Sequence, residues 1–319
     1  MSPETGRTRG RALDDGGDRH VDLDETDLAI VRSLQTDGRL TYETLAQQVG
    51  LSRPATRMRV QRLQETGAVR VVAIVHPAVR GLTASAHLAI DTDGASAPVA
   101  REIATLPQAP FVTLTSGRRS IMAELRTADA AELERTIEHI RALKGVRRVD
   151  PLIATRHVKD PYLLGGEPAV ALQDPTDDRI LAELEEDGRL PFAELAARVG
   201  LSAGATRSRT LRLLEGGVAK VVALVRPDVL GMGYLCGFSL RVDGAAAPVA
   251  ERVARFERVT FLSTCLGRAE LVGTITAESF AAVRTTLEEM RELTAVREVE
   301  SWLHLELVKE RYDLGPRTA

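Results

Sequence analysis

The motif DGRL at Asp37–Leu40 recurs unchanged at Asp187–Leu190, and VGLS at Val49–Ser52 recurs at Val199–Ser202. Both pairs are 150 positions apart, and no insertion separates the two copies. Between positions 24 and 77, roughly half of the residues are identical to the residue 150 further on, which is the mark of a duplicated unit. The sequence therefore predicts a tandem duplication, and a period this long indicates a repeated pair of domains rather than a solenoid.

Composition and charge limit the class of protein before any motif is interpreted. The chain has 319 residues, of which 44% are hydrophobic and 27% charged, with a net charge of −3. These values are typical of ordered domains without a global basic coat, so nucleic-acid binding requires a local basic patch. The two cysteines, Cys236 and Cys265, lack metal-ligand spacing, and the aliphatic runs are far too short to cross a bilayer. We therefore expect a cytoplasmic protein without a metal or other cofactor.

Each half begins with three short helical patterns. Asp24, with an acidic residue three positions later, is typical of a helix N-cap, and Gly50 and Ser52 are placed to end a second helix and begin a third. The second half repeats these signals, with Asp174 before Pro175 at the first helical position. Three short helices with a tight glycine turn before the last one predict a helix-turn-helix module.

The third helix of the first half carries a local excess of positive charge. Five arginines and one glutamate lie between Ser52 and Arg70, while Thr56, Val60 and Leu63 share a separate apolar face. In a helix-turn-helix module this helix enters the DNA major groove, and its N-terminal N–H groups can meet a phosphate. The predicted DNA-contacting residues of the two halves are Ser52, Arg53, Arg57, Met58, Gln61, Arg62, Ser202, Arg207, Ser208 and Arg212.

The two predicted recognition helices differ in sequence. The second half has Ala203 in place of Arg53 and carries Gly204 one position later. It also has Leu211 where the first half has Gln61. The second helix therefore loses a cation, gains a helix-weakening glycine and is expected to expose a leucine. We predict that the first half contributes more to DNA binding.

A smaller module follows each helical module, after a Val-rich strand at 71–75 or 221–225. In the second half the pattern predicts a strand over 234–242, a helix after Pro248, strands around 261–266 and 271–275, a helix over 280–290 and a last strand over 296–307. This β-α-β-β-α-β order is the ferredoxin-like α+β plan, with two helices on one face of a four-stranded antiparallel sheet. The uncovered apolar face of the sheet predicts pairing with a second copy.

The complete pattern resembles the Lrp/AsnC family of leucine-responsive, or feast/famine, regulators. A Ser-capped helix reading VGLS-x3-T-x2-R-V-x2-L-x3-G is followed by VVAIVHP and by a module closed by V-x-R-V. The resemblance covers nearly the whole chain after residue 22, twice. It implies a DNA-binding transcription regulator whose sensor modules pair through their sheets and bind amino acids or related metabolites. One chain would then act as a pseudo-dimer, and such chains are expected to form homo-oligomers.

The resemblance also implies an effector site near the loop that joins the second and third sensor strands, whose usual form is Gly-x-x-Asp. Here the loops read Gly-Arg-Arg-Ser and Gly-Arg-Ala-Glu, so neither keeps the aspartate. Glu270 with Arg268 suits the two ends of a zwitterion, and Arg118 suits a carboxylate, which together predict a hybrid pocket for an amino acid or a 2-oxo acid. A plain hairpin turn is the alternative. The implied effector residues are Gly117, Arg118, Ser120, Gly267, Arg268 and Glu270.

Two alternatives to a regulator remain open at this point. Siroheme decarboxylases have a similar two-module plan, but histidines at matched positions are missing here, since His87 corresponds to Gly237 and His157 to Leu307. Only 3% of the residues are aromatic, which is little for an enzyme that surrounds a tetrapyrrole. An effector-binding or partner-binding adaptor that no longer contacts DNA is the other alternative. We expect a protein that is not an enzyme.

The predicted domain organisation follows from the repeat and from the turn and linker residues between its parts. It consists of a flexible tail 1–22, helix-turn-helix modules 23–70 and 172–220, sensor modules with their linker strands 71–164 and 221–313, a linker 165–171 and a tail 314–319.

Overall fold

The computed structural model describes residues 23–160, 168–225 and 233–310. The predicted tails 1–22 and 314–319 lie outside these ranges, as does the first part of the predicted linker. The described end of that linker packs on the second helical module, because the Ala169 amide donates to the carbonyl of Gly216 (2.8 Å). No helix in the described part of the chain combines the length and hydropathy that a membrane span requires.

Both helical modules contain the three predicted helices. They are α1 Glu25–Thr36, α2 Tyr42–Val49 and α3 Arg53–Glu65 in the first half, and α6 Pro175–Glu186, α7 Phe192–Val199 and α8 Ala203–Glu215 in the second. Asp24 caps α1 in a reciprocal contact with Asp27, and Gly50 ends α2 at φ 68°, where glycine avoids strain. Ser52 caps α3 by accepting a hydrogen bond from the Ala55 amide (3.3 Å). The predicted caps are confirmed.

The two Val-rich strands pair with each other. Strand β1 (Val69–Val75) runs antiparallel to β6 (Ala219–Val225), with Val72 opposite Val222 at the centre. One hydrophobic core contains residues of both strands and of all six helices of the two modules. The helical modules therefore share a core and form one body.

The glycines of the repeated DGRL motif let the turn after the first helix of each module lie close to the linker strands. The Gly38 amide donates to the carbonyl of Val221, and the Gly188 amide donates to the carbonyl of Val71, both at 2.8 Å. A Cβ atom on Gly38 would lie 2.8 Å from a methyl carbon of Val71 and 2.9 Å from one of Val221. A larger residue would therefore push each module away from the linker strands.

Each sensor module has the predicted β-α-β-β-α-β order. The elements are β2 Ala84–Thr92, α4 Ser96–Ala104, β3 Phe111–Thr115, β4 Ile121–Thr127, α5 Ala130–Ala142 and β5 Val146–Lys159, then β7 Tyr234–Val242, α9 Ala246–Ala254, β8 Val259–Leu266, β9 Leu271–Ala277, α10 Phe280–Arg291 and β10 Val296–Glu310. The helix expected after Pro248 begins earlier, at Ala246, because a proline in the first turn lacks only an N–H that has no partner within the helix. The last strand continues past Leu307 to Glu310.

The two sensor sheets join at both edges and close into one barrel of eight strands, in the order β10-β3-β4-β2-β5-β8-β9-β7. Strand β5 pairs with β2 and then with β8, and β10 pairs with β7 and then with β3. These strands have 14 and 15 residues, more than twice the usual length of about six, so each can serve both sheets. The sheet face that was expected to pair with a second copy is covered by the other half of the same chain.

Alternation along the strands separates the outside of the barrel from its interior. The outward residues pack under α4 and α5 in one half and under α9 and α10 in the other, where they form two separate cores. A smaller apolar cluster lies inside the barrel and consists of Ala89, Met122, Leu152, Cys265, Ala269, Val272 and Trp302. The ferredoxin-like α+β architecture is therefore present twice, around one shared interior.

Candidate nucleic-acid interface and sensor sites

Helix α3 presents most of the predicted DNA contacts to solvent. Ser52, Arg53, Arg57 and Gln61 are exposed, and 70% of Met58 is exposed. The apolar face of the helix, with Thr56, Val60 and Leu63, is buried as expected. The first turn contains no acidic residue, so the helix N-terminus keeps its positive potential for a phosphate. An exposed methionine between arginines also suits contact with a thymine methyl group.

Helix α8 presents a weaker version of this surface. Ser202 caps the helix through the Ala205 amide (3.2 Å), and Arg207 and Ser208 are exposed. The position of Arg53 is taken by an exposed alanine. Leu211 is only partly exposed, so this leucine is less exposed than expected.

Arg62 and Arg212 each bind a buried acidic residue inside their own module, although 52% of the Arg62 side chain stays exposed. Arg62 pairs with Asp27, which is 1% exposed, and Arg59 reaches the same carboxylate at 2.9 Å. Arg212 pairs with the buried Asp177 in the second module. A buried carboxylate requires such partners, so both arginines hold the recognition helix on the first helix, and their contact with DNA stays a prediction. The repeat carried this signal, because the aspartate and both arginines recur 150 positions later.

A contact that the sequence analysis missed fixes the two helical modules to each other. The Arg39 guanidinium donates to the backbone carbonyls of Gly188 (2.6 Å) and Leu190 (3.1 Å) in the opposite module. It also lies 4.7 Å above the ring of Phe192, in a cation-π contact. Burial, and next the nearby charge of Arg189, lower the pKa of Arg39.

The second copy makes the same contact in the reverse direction. The Arg189 guanidinium donates to the carbonyls of Gly38 (2.6 Å) and Leu40 (2.9 Å) and lies 4.7 Å above the ring of Tyr42. Each arginine thus satisfies two carbonyls and stacks on one ring, which the planar guanidinium can do and a lysine cannot. The DGRL motif that revealed the repeat is the interface between the two modules.

In the first sensor hairpin, Arg119 and not Arg118 forms the ion pairs within the described part of the chain. Gly117 has φ 89°, and Arg118 is exposed at the turn. The Ser120 hydroxyl lies 3.1 Å from the hydroxyl of Thr92. Arg119 points inward, where it pairs with Asp91 (3.1 Å) and Asp150. Of the three polar side chains in this turn, Arg118 alone is exposed.

The second sensor hairpin uses its charged groups within the chain. The Glu270 carboxylate accepts a hydrogen bond from the Val242 amide (2.9 Å), and Arg268 pairs with Glu300 and lies 3.4 Å from the Ser239 hydroxyl. Gly267 is exposed beside them. Glu270 keeps a second carboxylate oxygen, and Nε and Nη2 of Arg268 have no hydrogen-bond partner among the described residues, so a ligand would share these two groups with their present partners.

The structure also brings histidines and aromatic rings together inside the barrel. The rings of His87 and His157 lie 5.3 Å and 5.9 Å from the ring of Phe261, inside the barrel. On the other side, His304 lies 5.9 Å from Phe111 and 6.5 Å from Trp302. Within the described ranges, no group of three or more histidine, cysteine or acidic residues has the geometry of a metal site.

Comparison with known proteins identifies the family. The AsnC-type helix-turn-helix domain matches residues 23–64 and 174–214, and the Lrp/AsnC ligand binding domain matches residues 84–164. An uncharacterised HTH-type transcriptional regulator of Pyrococcus abyssi is 34% identical over 147 residues, which cover 93% of that protein and 45% of this chain. The leucine-responsive regulatory protein of Rhizobium meliloti is 30% identical over 146 residues, 94% of its length and 44% of this chain. The chain belongs to the Lrp/AsnC family, and it contains two AsnC-type helix-turn-helix domains.

A solved structure shares the arrangement of both units. The siroheme decarboxylase NirDL superposes with a TM-score of 0.65 over 90% of this chain and 93% of its own, at 18% sequence identity. At this level of identity the likeness concerns the fold alone. The confirmed architecture is therefore two helix-turn-helix modules, each followed by a ferredoxin-like module.

Proposed function

We propose that the chain is a sequence-specific DNA-binding transcription regulator in which one polypeptide presents both recognition helices. The observation that carries this proposal is the reciprocal contact of Arg39 and Arg189, which holds α3 and α8 in one body. A dimeric helix-turn-helix protein places two such helices on half-sites about 34 Å apart, or a multiple of that distance. Its proposed partner, chromosomal DNA, would place the protein in the cytoplasm.

Footprinting on selected DNA tests this proposal. Fragments that bind the purified protein would be sequenced, and one of them footprinted while the number of chains per complex is measured by mass photometry. We expect one chain to protect two half-sites separated by about one helical turn or a multiple of it. Protection of one isolated half-site per chain would contradict the proposal that one chain acts as a pseudo-dimer.

Substitution of the exposed arginines separates the regulator from the adaptor. The double variant Arg57→Ala/Arg207→Ala removes one cation from each recognition helix, and we expect it to lose specific binding and to flatten the salt dependence. The matched control is Arg135→Ala on α5, an exposed arginine far from the helical modules. If the double variant binds DNA as the wild type does, the result supports an adaptor that does not contact DNA through these helices.

We also propose that a small metabolite, an amino acid or a related acid, modulates DNA binding. The match of residues 84–164 to the ligand binding domain of the family supports this, and the exposed Arg118 can pair with a carboxylate. Amino acids and 2-oxo acids would be screened by thermal shift on the wild type, Arg118→Ala and Glu270→Ala. The ligand-induced shift should disappear in Arg118→Ala. A ligand that stabilises all three proteins equally would show that the loops are ordinary hairpins.

A siroheme-decarboxylase-like enzyme is the second candidate. The observation in its favour is the gathering of His87, His157 and His304 with aromatic rings inside the barrel. The absorption spectrum of siroheme would be recorded before and after the protein is added. A regulator should leave the spectrum unchanged, whereas a shifted absorption band that saturates at one chain per siroheme would support the enzyme.

We further propose that the pseudo-dimeric chains form homo-oligomers. Large apolar side chains remain on the outside of the sensor barrel, with Leu266 66% exposed, Leu305 65% and Phe280 57%. Apolar groups of this size favour burial against another surface. Light scattering over a hundredfold concentration range should show more than one chain per particle, and a single chain throughout would contradict the proposal.

A further inference from the structure

Four ring nitrogens inside the sensor barrel are buried and have no hydrogen-bond partner among the described residues. They are His87 Nε2, His157 Nδ1, Trp302 Nε1 and His304 Nε2. A buried polar group left without a partner destabilises the fold, so four such groups in one region are rare unless a ligand or water binds them. His87 and Trp302 are each only 7% exposed, and the histidine rings at 157 and 304 are partly buried.

These nitrogens lie at one end of the barrel interior. Along β2 the inward residues run from Asp91 near the sensor hairpin, through Ala89, to His87 on the side away from it. The apolar cluster inside the barrel therefore lies between the first sensor hairpin and His87, and Trp302 is one of its members. Rings of both halves meet at the histidine end, where Phe111 contacts His304 and Phe261 contacts His87.

The charged groups of the interior already have opposite charges beside them. Arg126 pairs with Glu124 at 2.6 Å, between the histidines, and the arginines near the hairpins pair with Asp91 and Glu300. Burial lowers the pKa of His87 and of His304 to about 4, so both rings are neutral at pH 7. An ion that entered this end would leave its charge without a counter-charge, which is costly in a buried place.

The hydrogen-bonding capacity of two of the rings can be assigned. The Thr113 hydroxyl donates its proton to the carbonyl of Glu306 (2.9 Å), so towards His304 Nδ1, at 3.4 Å, it accepts. His304 is then protonated at Nδ1, and its unpartnered Nε2 is an acceptor. Trp302 Nε1 is a donor by its chemistry. The interior therefore offers at least one donor and one acceptor on neutral rings.

The two halves of the interior are not equivalent. His87 lies opposite Leu152 in the first half, and the matching pair in the second half is Gly237 with Trp302. A Cβ atom on Gly237 would lie 2.1 Å from Trp302 Nε1, so the glycine makes room for the indole. The approximate twofold relation between the halves is thus lost here, and two identical ligands have no matching sites.

We propose that the histidine end of the barrel binds one uncharged planar nitrogen heterocycle per chain, of the size of a nucleobase. Such a molecule offers donor and acceptor atoms to the neutral rings of Trp302 and His304, and its faces and edges pack against Phe111 and Phe261. An eight-stranded barrel has an interior that can hold one small ligand. The site adjoins the first sensor hairpin, because Leu303 and Ser116 exchange hydrogen bonds, but its rings are not hairpin residues and it does not depend on an amino-acid effector.

The single tryptophan of the chain makes the test direct. Adenine and uracil would be titrated into the full chain, with Trp302 fluorescence and calorimetry as readouts. Leucine and 2-oxoisovalerate, which carry charges, are the control ligands. We expect at least one of the two bases to change the fluorescence and to bind with a stoichiometry of one per chain, while the charged controls do neither.

Substitutions that replace one ring with another test whether ligand binding occurs at this site or elsewhere on the protein. His304→Phe removes the acceptor and should weaken binding about tenfold, equivalent to about 1.4 kcal/mol. Trp302→Phe, measured by calorimetry, should weaken it comparably. His139→Phe, on the exposed face of α5, is the matched control and should bind as the wild type does. Circular dichroism would verify that each variant is folded.

Three results would overturn the proposal. The first is no heat and no fluorescence change with either base, which would mean that water alone satisfies the rings. The second is a stoichiometry of two ligands per chain. The third is unchanged affinity in both ring variants. DNA binding would be measured on the same preparations without ligand. A failure of the proposed DNA binding can thus be distinguished from a failure of the proposed ligand binding.

Discussion

At the scale of single residues, the helical modules depend on one buried carboxylate each. Asp27 accepts hydrogen bonds from Arg59 (2.9 Å) and from Arg62, which lie on the recognition helix, while its own helix begins beside it. The carboxylate therefore couples the orientation of the recognition helix to the start of α1. Asp177 has the same position in the second module.

Replacing this carboxylate should destabilise the first module. Asp27→Asn keeps the shape but removes the charge that two arginines share, and we expect a loss of about 2 kcal/mol in the free energy of unfolding. Urea unfolding followed by circular dichroism measures it. Glu138→Gln, an exposed acid on α5, is the control and should change the stability by less than about 0.5 kcal/mol. Equal effects of the two substitutions would refute the role of Asp27.

Buried histidines should make the barrel sensitive to acid. Burial lowers the pKa of His87 to about 4, with Glu124 opposing the shift and His157 and Arg126 adding to it. An unfolded histidine titrates near pH 6.5, so below that pH the unfolded chain binds a proton that the folded chain does not. Stability is therefore lost as the pH falls from about 6.5 to about 4, by about 3 kcal/mol for this residue.

A non-titrating variant checks this window. In His87→Gln the decline of the unfolding free energy between pH 6.5 and pH 4 should become shallower. His139→Gln, at an exposed position, should keep the slope of the wild type. Identical slopes in all three proteins would show that His87 does not contribute.

At the scale of elements, the two recognition helices have the same framework and different surfaces. Their caps, Ser52 and Ser202, and their buried residues correspond position by position. The exposed side differs, because α3 carries Arg53 and Met58 where α8 carries Ala203 and Ser208. The duplicated helices are therefore built alike but present different side chains to solvent.

This difference predicts unequal losses on substitution. Arg57→Ala should weaken DNA binding by about 1 to 3 kcal/mol if the arginine pairs with a guanine, and Arg207→Ala should cost less. Binding isotherms at two salt concentrations measure both losses. Arg62→Ala, by contrast, should lower the unfolding free energy, because Arg62 binds Asp27. Equal losses from Arg57→Ala and Arg207→Ala would refute the asymmetry.

At the scale of the whole molecule, one chain closes two interfaces onto itself. The linker strands and the DGRL motifs join the helical modules, and the long strands β5 and β10 join the sensor sheets. Arg80, on the short turn Pro77–Arg80 after β1, adds an ion pair with Glu185 of α6 (2.8 Å). The distance between the recognition helices is thus set within the polypeptide and does not depend on protein concentration.

Loosening the contact between the helical modules should separate affinity for one half-site from affinity for two. In Arg39→Ala/Arg189→Ala both cation-π contacts and four hydrogen bonds to carbonyls are lost. We expect binding to a two-half-site DNA to weaken about tenfold while binding to a single half-site changes little. Arg101→Ala, exposed on α4, is the control. Parallel weakening on both DNAs would contradict the positioning role.

The sequence by itself determined the duplication, the helix-turn-helix modules and the order of the sensor elements. Caps such as Ser52 and the alternation over Tyr234–Val242 depend on residues a few positions apart, so they are visible in one dimension. The tertiary structure alone decided the barrel closure, the contact of Arg39 with a carbonyl 149 positions away and the meeting of His87 with Phe261. These contacts join residues that are distant in the chain, where pairing depends on how whole sheets and modules pack and no local pattern records the partner.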